Sequence, residues 1–363
     1  MPSWRLLAAD LVTNAVKAEL PVAFSFGRTI NGSTTLSGSI GQDHPKATLA
    51  NLDAGRTAFF SERDGRVVWG GVMLEPLRRA MGSREFTFGA VDWVGYLNHR
   101  LIRHTLTYPA TYDTDPNATV EQFDIVRGIV DYLQANQDLG ITVDTHDSGV
   151  ERRRKYHHYE RRNAGTAIKE LADVVDGFDF TSDTVRDSSD TITKHLRLFY
   201  PRRGRRTSHV LEYSEDGSTN IDDYEYVKDP GQMENQVDVL GTGIEEAKLI
   251  ATAADPNKWA QYPILDGVES RESVTEQATL QGHADRRLQS RSGPVEHLRV
   301  KLKANAKPSF SSWVPGDQLT TRISDKAIQL DGFWRVLSDS VSVNDNGDEV
   351  VELQMQRPSL TIE

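Results

Sequence analysis

The tightest constraint on this chain is a two-residue alternation of large apolar and small or polar side chains, which recurs near both ends. Residues 22–30 (VAFSFGRTI) alternate in this way, break at Asn31-Gly32 and resume as TTLSGSI. Toward the other end, EHLRVKLKA, DQLTTRI, GFWRVLSDSVSV and EVVELQMQ repeat the style. Successive side chains of a strand point to opposite faces, so alternation means strands with one buried face. Asn-Gly or Asp-Gly between them supplies the positive φ angles of tight hairpins. RTAFF and RVVWGGVML flank Glu62-Arg63-Asp64-Gly65 as a second hairpin, and REFTFGAV follows. Gly70-Gly71 inside an apolar strand predicts a bulge or a barrel corner. Residues 91–101 predict a short helix that closes this unit. The two ends therefore read as two short β-barrels separated by a helix-bearing insertion.

From about residue 102 the texture changes. TYPATYDTDPNAT is turn-rich, and Thr119 with Gln122 has capping-box spacing ahead of a helix with Phe123, Val126, Val130 and Leu133 at helical period. A second helix is expected over 164–175, with Asn163 as N-cap, Ile168, Leu171 and Val175 on one face, and Gly177 as the stop. HLRLFY (195–200) and HVLEY (209–213) predict a hairpin with PRRGRR at its tip. NQVDVLGTG (235–243) opens a second strand-rich region, interrupted by a helix over 274–290. In that helix Ser273 and Glu276 have capping-box spacing, and Leu280, Ala284 and Leu288 line one face. No period of 20–50 residues is visible, which disfavours solenoids and propellers.

A length of 363 residues exceeds what one core usually supports, so two or three domains are expected. No apolar run approaches the roughly 20 residues of a bilayer-spanning helix. The first residues lack the basic start and long apolar stretch of a signal peptide, so synthesis without export is expected. With no cysteine, disulfides, thiolate nucleophiles and cysteine-ligated zinc are excluded. A formal charge of −11 opposes general affinity for nucleic acid, which rests on neutralising phosphates.

Catalytic motifs are missing. The sequence holds no G-x-S-x-G elbow, no H-E-x-x-H, no Walker A and no G-x-G-x-x-G after a strand, and Gly241-Thr242-Gly243 is read as a turn. A glycosidase needs only two well-placed carboxylates, yet abundant Asp and Glu are expected of any acidic surface. His157, His158 and Glu160 form a cluster without the spacing that puts two ligands on one face, and the flanking arginines repel a cation. No enzymatic activity, cofactor or metal is expected. Asn31 and Asn117 head glycosylation sequons that carry no weight without export. Trp69, Trp93, Trp259, Trp313 and Trp334 suit a core or an interface better than a sugar platform. The basic run Arg152, Arg153, Arg154, Lys155, Arg161 and Arg162, and the group Arg202, Arg203, Arg205 and Arg206, are the candidates for docking a partner. A solvated loop, an acidic protein surface and a phosphate backbone are the alternatives for both.

The order of these pieces resembles the tail-hub proteins (minor tail or baseplate hub proteins) of long-tailed bacteriophages, in the style of phages that infect actinobacteria. Four segments carry the resemblance: LPVAFSFGRTINGSTTLSGSIGQDHP with FFSERDGRVVWGGVM, then AGTAIKELADVVDGFDF, then NQVDVLGTG, then YPILDGVESRESVTEQATLQGHADRRLQ leading to WVPGDQL. The resemblance implies a β-rich α+β fold with two tail-tube-like β-barrel domains and an α+β insertion. The first barrel would span 1–101, completed by strands in 208–230, the insertion 102–207, and the second barrel 231–363 with the embedded helix 274–290. It further implies a homotrimeric hub ring at the virion tail tip, assembled in the host cytoplasm. Such a ring would contact a distal tail protein, a tape-measure protein and receptor-binding or other minor tail proteins, and let DNA pass. The chain's end at Glu363, soon after its last strand, corresponds to a minimal hub without an enzymatic extension. The alternatives are a hexameric distal tail protein and a tail-associated cell-wall hydrolase.

Overall fold

The computed structural model describes residues 2–358 apart from Met81, Val175, Asp216, Ser218, Ser273, Asn305 and Asp345. The N-terminal strands are β1 (Trp4–Asp10), β2 (Val16–Leu20), β3 (Phe24–Thr29), β4 (Thr35–Gly41), β5 (Thr57–Arg63), β6 (Arg66–Val72) and β7 (Glu85–Asp92). The insertion holds α1 (Trp93–Leu97), β8 (Leu106–Tyr108), β9 (Val120–Glu121), α2 (Gln122–Gln134), β10 (Ile141–Val143), β11 (Glu151–Arg152), β12 (Arg154–Tyr156), α3 (Ala164–Ala172), β13 (Asp179–Arg186) and β14 (Ile192–Phe199). The chain returns through β15 (Arg206–Ser214) and β16 (Ile221–Asp229). A small α/β unit follows, with β17 (Gln236–Leu240), β18 (Ile250–Ala254), α4 (Pro256–Trp259), β19 (Asp266–Ser270) and α5 (Gln277–Arg291). The last strands are β20 (Val295–Leu302), β21 (Gln318–Ser324), β22 (Gln329–Val343) and β23 (Glu349–Gln356).

The fold is β-rich with few helices, and the described residues form no closed barrel. Thirteen strands form one sheet in the order β16-β20-β23-β22-β3-β4-β7-β6-β5-β1-β2, with β21 and β15 branching from β22. The two ends of the chain meet where β3 pairs antiparallel with β22, Val341 opposite Phe26. One hydrophobic core serves both ends, with Phe26, Phe59 and Phe88 packed in the same cluster as Trp313, Trp334 and Leu353. The strands expected to complete the first barrel pair elsewhere: β15 runs parallel to β21 and β16 antiparallel to β20. Alternation told which face of a strand is buried, whereas pairing depends on which edge the returning chain meets.

The alternation also explains the second core. In β1, Leu6 and Ala8 face the main cluster while Leu7 and Ala9 face the insertion; in β5, Phe59 faces the first and Ala58 and Phe60 the second. Both faces of β5 are covered, so all its residues are buried. Helices α2 and α3 bring Phe123, Val126, Ile168 and Leu171 to that second face. At roughly 25 cal/mol per Å² of apolar surface, a shared two-sided strand stabilises both layers at once.

Several local expectations are corrected. The cap of α2 is Glu121, whose carboxylate accepts from the Phe123 and Asp124 amides, in place of Thr119. Asn163 caps α3 as expected, accepting from the Thr166 amide, but the helix stops at Ala172; Val175 lies outside the described residues. Ser273 also lies outside them, and α5 starts after Glu276. The register shift in the β5–β6 pair lies beside Ser61 and Glu62, ahead of the glycines. Gly70 and Gly71 serve a close approach instead: a Cβ on Gly70 would lie 2.3 Å from Thr184 Oγ1 and one on Gly71 2.2 Å from the Val91 carbonyl. Asp64 and Gly65 take positive φ at the β5–β6 turn, as their sequence requires. The hairpin expected between 195–200 and 209–213 does not form. Strand β14 pairs with β13 and β10, and the chain then crosses to the main sheet.

The expectation that Leu280 and its helix pack within a second barrel is likewise revised. Leu280 and Ala284 of α5 pack on Val237, Val239, Ala251 and Ala253 of the separate sheet β18-β17-β19. The motif N-x-V-x-V-x-G has a local reason there. Buried Asn235 bonds the Pro263 carbonyl at 2.8 Å and the Leu265 amide at 2.9 Å, which joins β17 to the segment leading into β19. Gly241 leaves room for Leu280, whose Cδ2 would lie 3.0 Å from a Cβ at that position.

Candidate functional site

The first basic run borders one cleft, and two of its residues are also held by the turn-rich loop that shares the lining. Arg153 and Lys155 face the turn-rich loop before α2: the Arg153 guanidinium lies 3.8 Å from the Tyr112 ring centroid, and Lys155 Nζ is 2.6 Å from Asp113 Oδ1. All four residues 152–155, with Tyr112, Arg162 and the carboxylates Glu151, Glu160 and Glu170, line a cleft of about 880 Å³ between the insertion and the small α/β unit. Arg154 donates to the Arg153 carbonyl at 3.0 Å. Arg161 is exposed and donates to the Arg103 carbonyl at 3.3 Å, while Arg162 pairs with Glu170 and, at 3.6 Å, with Glu160.

The opposite wall comes from α5 and the residues before it. Leu280 and Ala284 face the small core, so Thr279, Gly282 and His283 turn toward the insertion and line the cleft with Arg271. The helix is held in that rotation by Arg287, whose Nη1 lies 2.8 Å from Glu269 Oε2 and which also grips Glu234; Arg291 adds a 3.0 Å pair to Glu234. The hydrogen bonds that Arg287 donates to Glu234 hold its guanidinium above its ordinary range. Burial, then Arg271, Arg154 and Arg152, push His283 below the usual imidazole value, with Glu269 opposing. Burial and Arg154 likewise lower Arg152. His283 thus feels arginines from two distant stretches of sequence.

The second basic group sits at a joint. The Arg203 amide donates to Asp179 Oδ2 at 2.8 Å and the Arg205 amide to Asp317 Oδ1 at 2.9 Å. Arg206 lies over the Phe333 ring at 3.8 Å and Arg203 over Phe199 at 4.8 Å. Burial, then Arg335 and Arg286, hold Arg202 below its ordinary value. Gly204 and Gly316 both have positive φ and touch backbone to backbone; a Cβ on Gly204 would lie 2.1 Å from the Gly316 carbonyl. This second group is thus held by its backbone amides and by aromatic rings at the crossing from the insertion to the main sheet.

The other chemistry-bearing groups are engaged in the fold. Buried Glu62 meets Arg5 and Arg186, Asp339 meets Arg28, Glu349 meets Arg63, and Asp179 meets Arg335. His157 stacks on Tyr159 at 4.8 Å and His158 Nδ1 lies 3.1 Å from Thr105 Oγ1. Among the described residues no group of three or more His, Asp or Glu is placed to hold a metal ion. Trp69, Trp93, Trp313 and Trp334 are buried, while Trp259 is 38% exposed. No described helix is long and apolar enough to cross a membrane. Arg271 and His283 are the cleft residues that the sequence reading missed. Their signal was the polar side of the helix whose apolar side carries Leu280 and Ala284, but nothing in the sequence says what that side faces.

No family model and no curated protein matches the sequence. Solved structures do match the fold over nearly its whole length. A tail protein from Neisseria meningitidis aligns with a TM-score of 0.64 at 13% identity, covering 98% of this chain and 97% of that one. The 43 kDa tail protein of prophage MuSo2 from Shewanella oneidensis aligns at 0.65 and 13% identity, covering 98% and 99%. A prophage tail protein from Listeria monocytogenes aligns at 0.58 and 13% identity, covering 98% and 95%. The chain shares the fold of phage-type tail proteins.

Proposed function

We propose that this protein is a structural component of a phage-type tail tip: a hub ring that joins the tail tube to host-facing proteins and surrounds part of the DNA path. The observation that carries the reading is the end-to-end match. The chain and each of three tail proteins cover at least 95% of one another, so the shared fold includes the insertion and the small unit as well as the sheet. The order of the sequence segments supports the finer assignment to a hub of the kind carried by phages of actinobacteria.

In this reading the N-terminal strands and the strands from β15 onward act as two tube-type units in one chain, so three copies present a six-fold rim. The sheet order leaves β2 and β16 as open edges, which a ring of copies can cover. The acidic balance of the chain would let DNA slide through without adhering. Native mass spectrometry with negative-stain electron microscopy tests the proposal. A ring of three copies is expected; six copies would point to a distal tail protein, and monomers at micromolar concentration would overturn the ring.

A further inference from the structure

We infer that the open face of the seven-strand layer β16-β20-β23-β22-β3-β4-β7 is the wall of the DNA path. The inference rests on the hub reading and deepens it, by naming the side chains past which a duplex slides.

The stacking of layers selects this face. Phe26, Leu36, Phe88, Val341 and Leu353 point from the seven strands into the shared core. Strands β1, β5 and β6 lie across that core as a second layer. Phe59 of β5 stacks on Phe88 of β7 at 4.9 Å, Trp69 of β6 lies 6.5 Å from Phe26 of β3, and Trp4 of β1 lies 6.0 Å from Phe24. The insertion packs on the outer side of that second layer, against Leu7, Ala58 and Phe60. It therefore sits on the far side of the core from the open face. Three insertions of about a hundred residues fill far more space than a duplex needs, so in a ring they stand outside and the opposite face of each copy turns inward.

The chemistry of the face agrees. Between β22 and β7, small hydroxyls stand side by side: Ser342 opposite Ser25, Ser25 opposite Ser37 with their oxygens 2.9 Å apart, and Ser39 opposite Thr87. Ser37, Thr87, Ser340 and Ser342 are exposed. No Phe, Tyr or Trp on the described strands shares their side of the layer, so a protein partner finds no aromatic anchor. Toward β16 the cations are matched, Arg299 by Glu352 at 2.6 Å and Lys301 by Asp222 at 3.2 Å. Asp223 and Glu225 on the edge strand form no ion pair among the described residues. Adhesion to a duplex needs cations free to neutralise phosphates. A hydrated hydroxyl surface with matched cations and spare carboxylates lets the duplex pass without holding it.

Because the chain has no cysteine, single thiols report position directly. Rings of Ser37→Cys and of Ser340→Cys, labelled with a maleimide gold cluster, are imaged by electron microscopy. Gold is expected in the central hole, and at the periphery for Tyr159→Cys, which is 67% exposed on the insertion. Duplex DNA is the second probe. Ser37→Arg with Ser342→Arg should make rings hold linear duplex about tenfold more tightly than the unsubstituted rings do. A covalently closed circle has no end to thread and should gain nothing. If the arginine variants do not assemble, the cysteine variants, each a one-atom change, decide. Gold at the periphery of intact rings, thiols at 37 or 340 that lose maleimide reactivity as rings assemble, no gain for linear duplex, or an equal gain for the circle overturns the inference and leaves the ring standing. Failure of the unsubstituted chain to form rings overturns the hub reading, and this inference with it.

Discussion

Replacing Asp179 with Ala should uncouple the insertion from the main sheet. Asp179, at the start of β13, is 2% exposed and receives three donors from three separate parts of the chain. They are Asn31 Nδ2 at 2.8 Å from the β3–β4 turn, the Arg203 amide at 2.8 Å from the basic joint, and the Arg335 guanidinium from β22. Without the carboxylate, Arg335 is buried and, among the described residues, keeps the Gly316 carbonyl at 3.3 Å and the Arg203 carbonyl at 3.2 Å. Breaking a buried ion pair from one side costs about 3–5 kcal/mol, and two further orphaned donors in the same network keep the total toward the top of that range. Urea unfolding followed by tryptophan fluorescence measures the loss. Hydrogen exchange should show lost protection at 179–186 and 200–206. Since a buried pair replaced on both sides by apolar groups is often neutral, adding Arg335→Met should recover about 2 kcal/mol or more. A cost below about 1 kcal/mol for Asp179→Ala, or a double variant that equals the sum of the singles, would refute the reasoning.

Gly204→Ala should destabilise by about 2–4 kcal/mol, since positive φ is strained for alanine and the added Cβ meets the Gly316 backbone; a thermal melt within 1 °C of the parent contradicts this. Lys194 is buried over the Trp93 ring and donates to the Leu11 carbonyl at 2.6 Å and the Leu139 carbonyl at 2.8 Å. Burial lowers its pKa to about 8 from the ordinary 10.5, so across that window the unfolded chain holds a proton that the native state has released. Stability should therefore rise with pH between those values, by about 2–3 kcal/mol, and Lys194→Met should flatten the rise; identical pH profiles for the two proteins count against it. Gln318 is fully buried, and neither amide atom has a hydrogen-bond partner among the described residues. Gln318→Leu is thus expected to stabilise by about 1–2 kcal/mol in denaturant midpoint, and a loss of stability would show that the amide is satisfied in solution.

Local rules carried the sequence reading a fair distance. Alternation in 22–30 and 349–356 identified strands, Asp64-Gly65 a turn and Asn163 a helix cap, because each depends on the conformational preferences of a few adjacent residues. The four quoted segments, taken in order, were enough to point to phage tail proteins, whose fold the chain shares. The basic run 152–155 was legible as charge, but not that Arg153 and Lys155 are held by Tyr112 and Asp113 of the preceding loop.

Tertiary structure alone decided the rest. That β3 meets β22, so that Phe26 and Trp334 share a core, depends on partners more than 300 residues apart in sequence, and strand periodicity does not encode them. The basic group Arg202–Arg206 looked like a hairpin tip because charge near Gly marks a turn. Packing made it a joint, since Asp179 at the start of β13 and Gly316 and Asp317 in the turn before β21 were waiting for it. The same holds for the cleft. The amphipathic pattern of α5 determined which side carries His283, and only the seating of the small α/β unit against the insertion brought that side to Arg152 and Arg154, because a charge's surroundings are set by what packs opposite it.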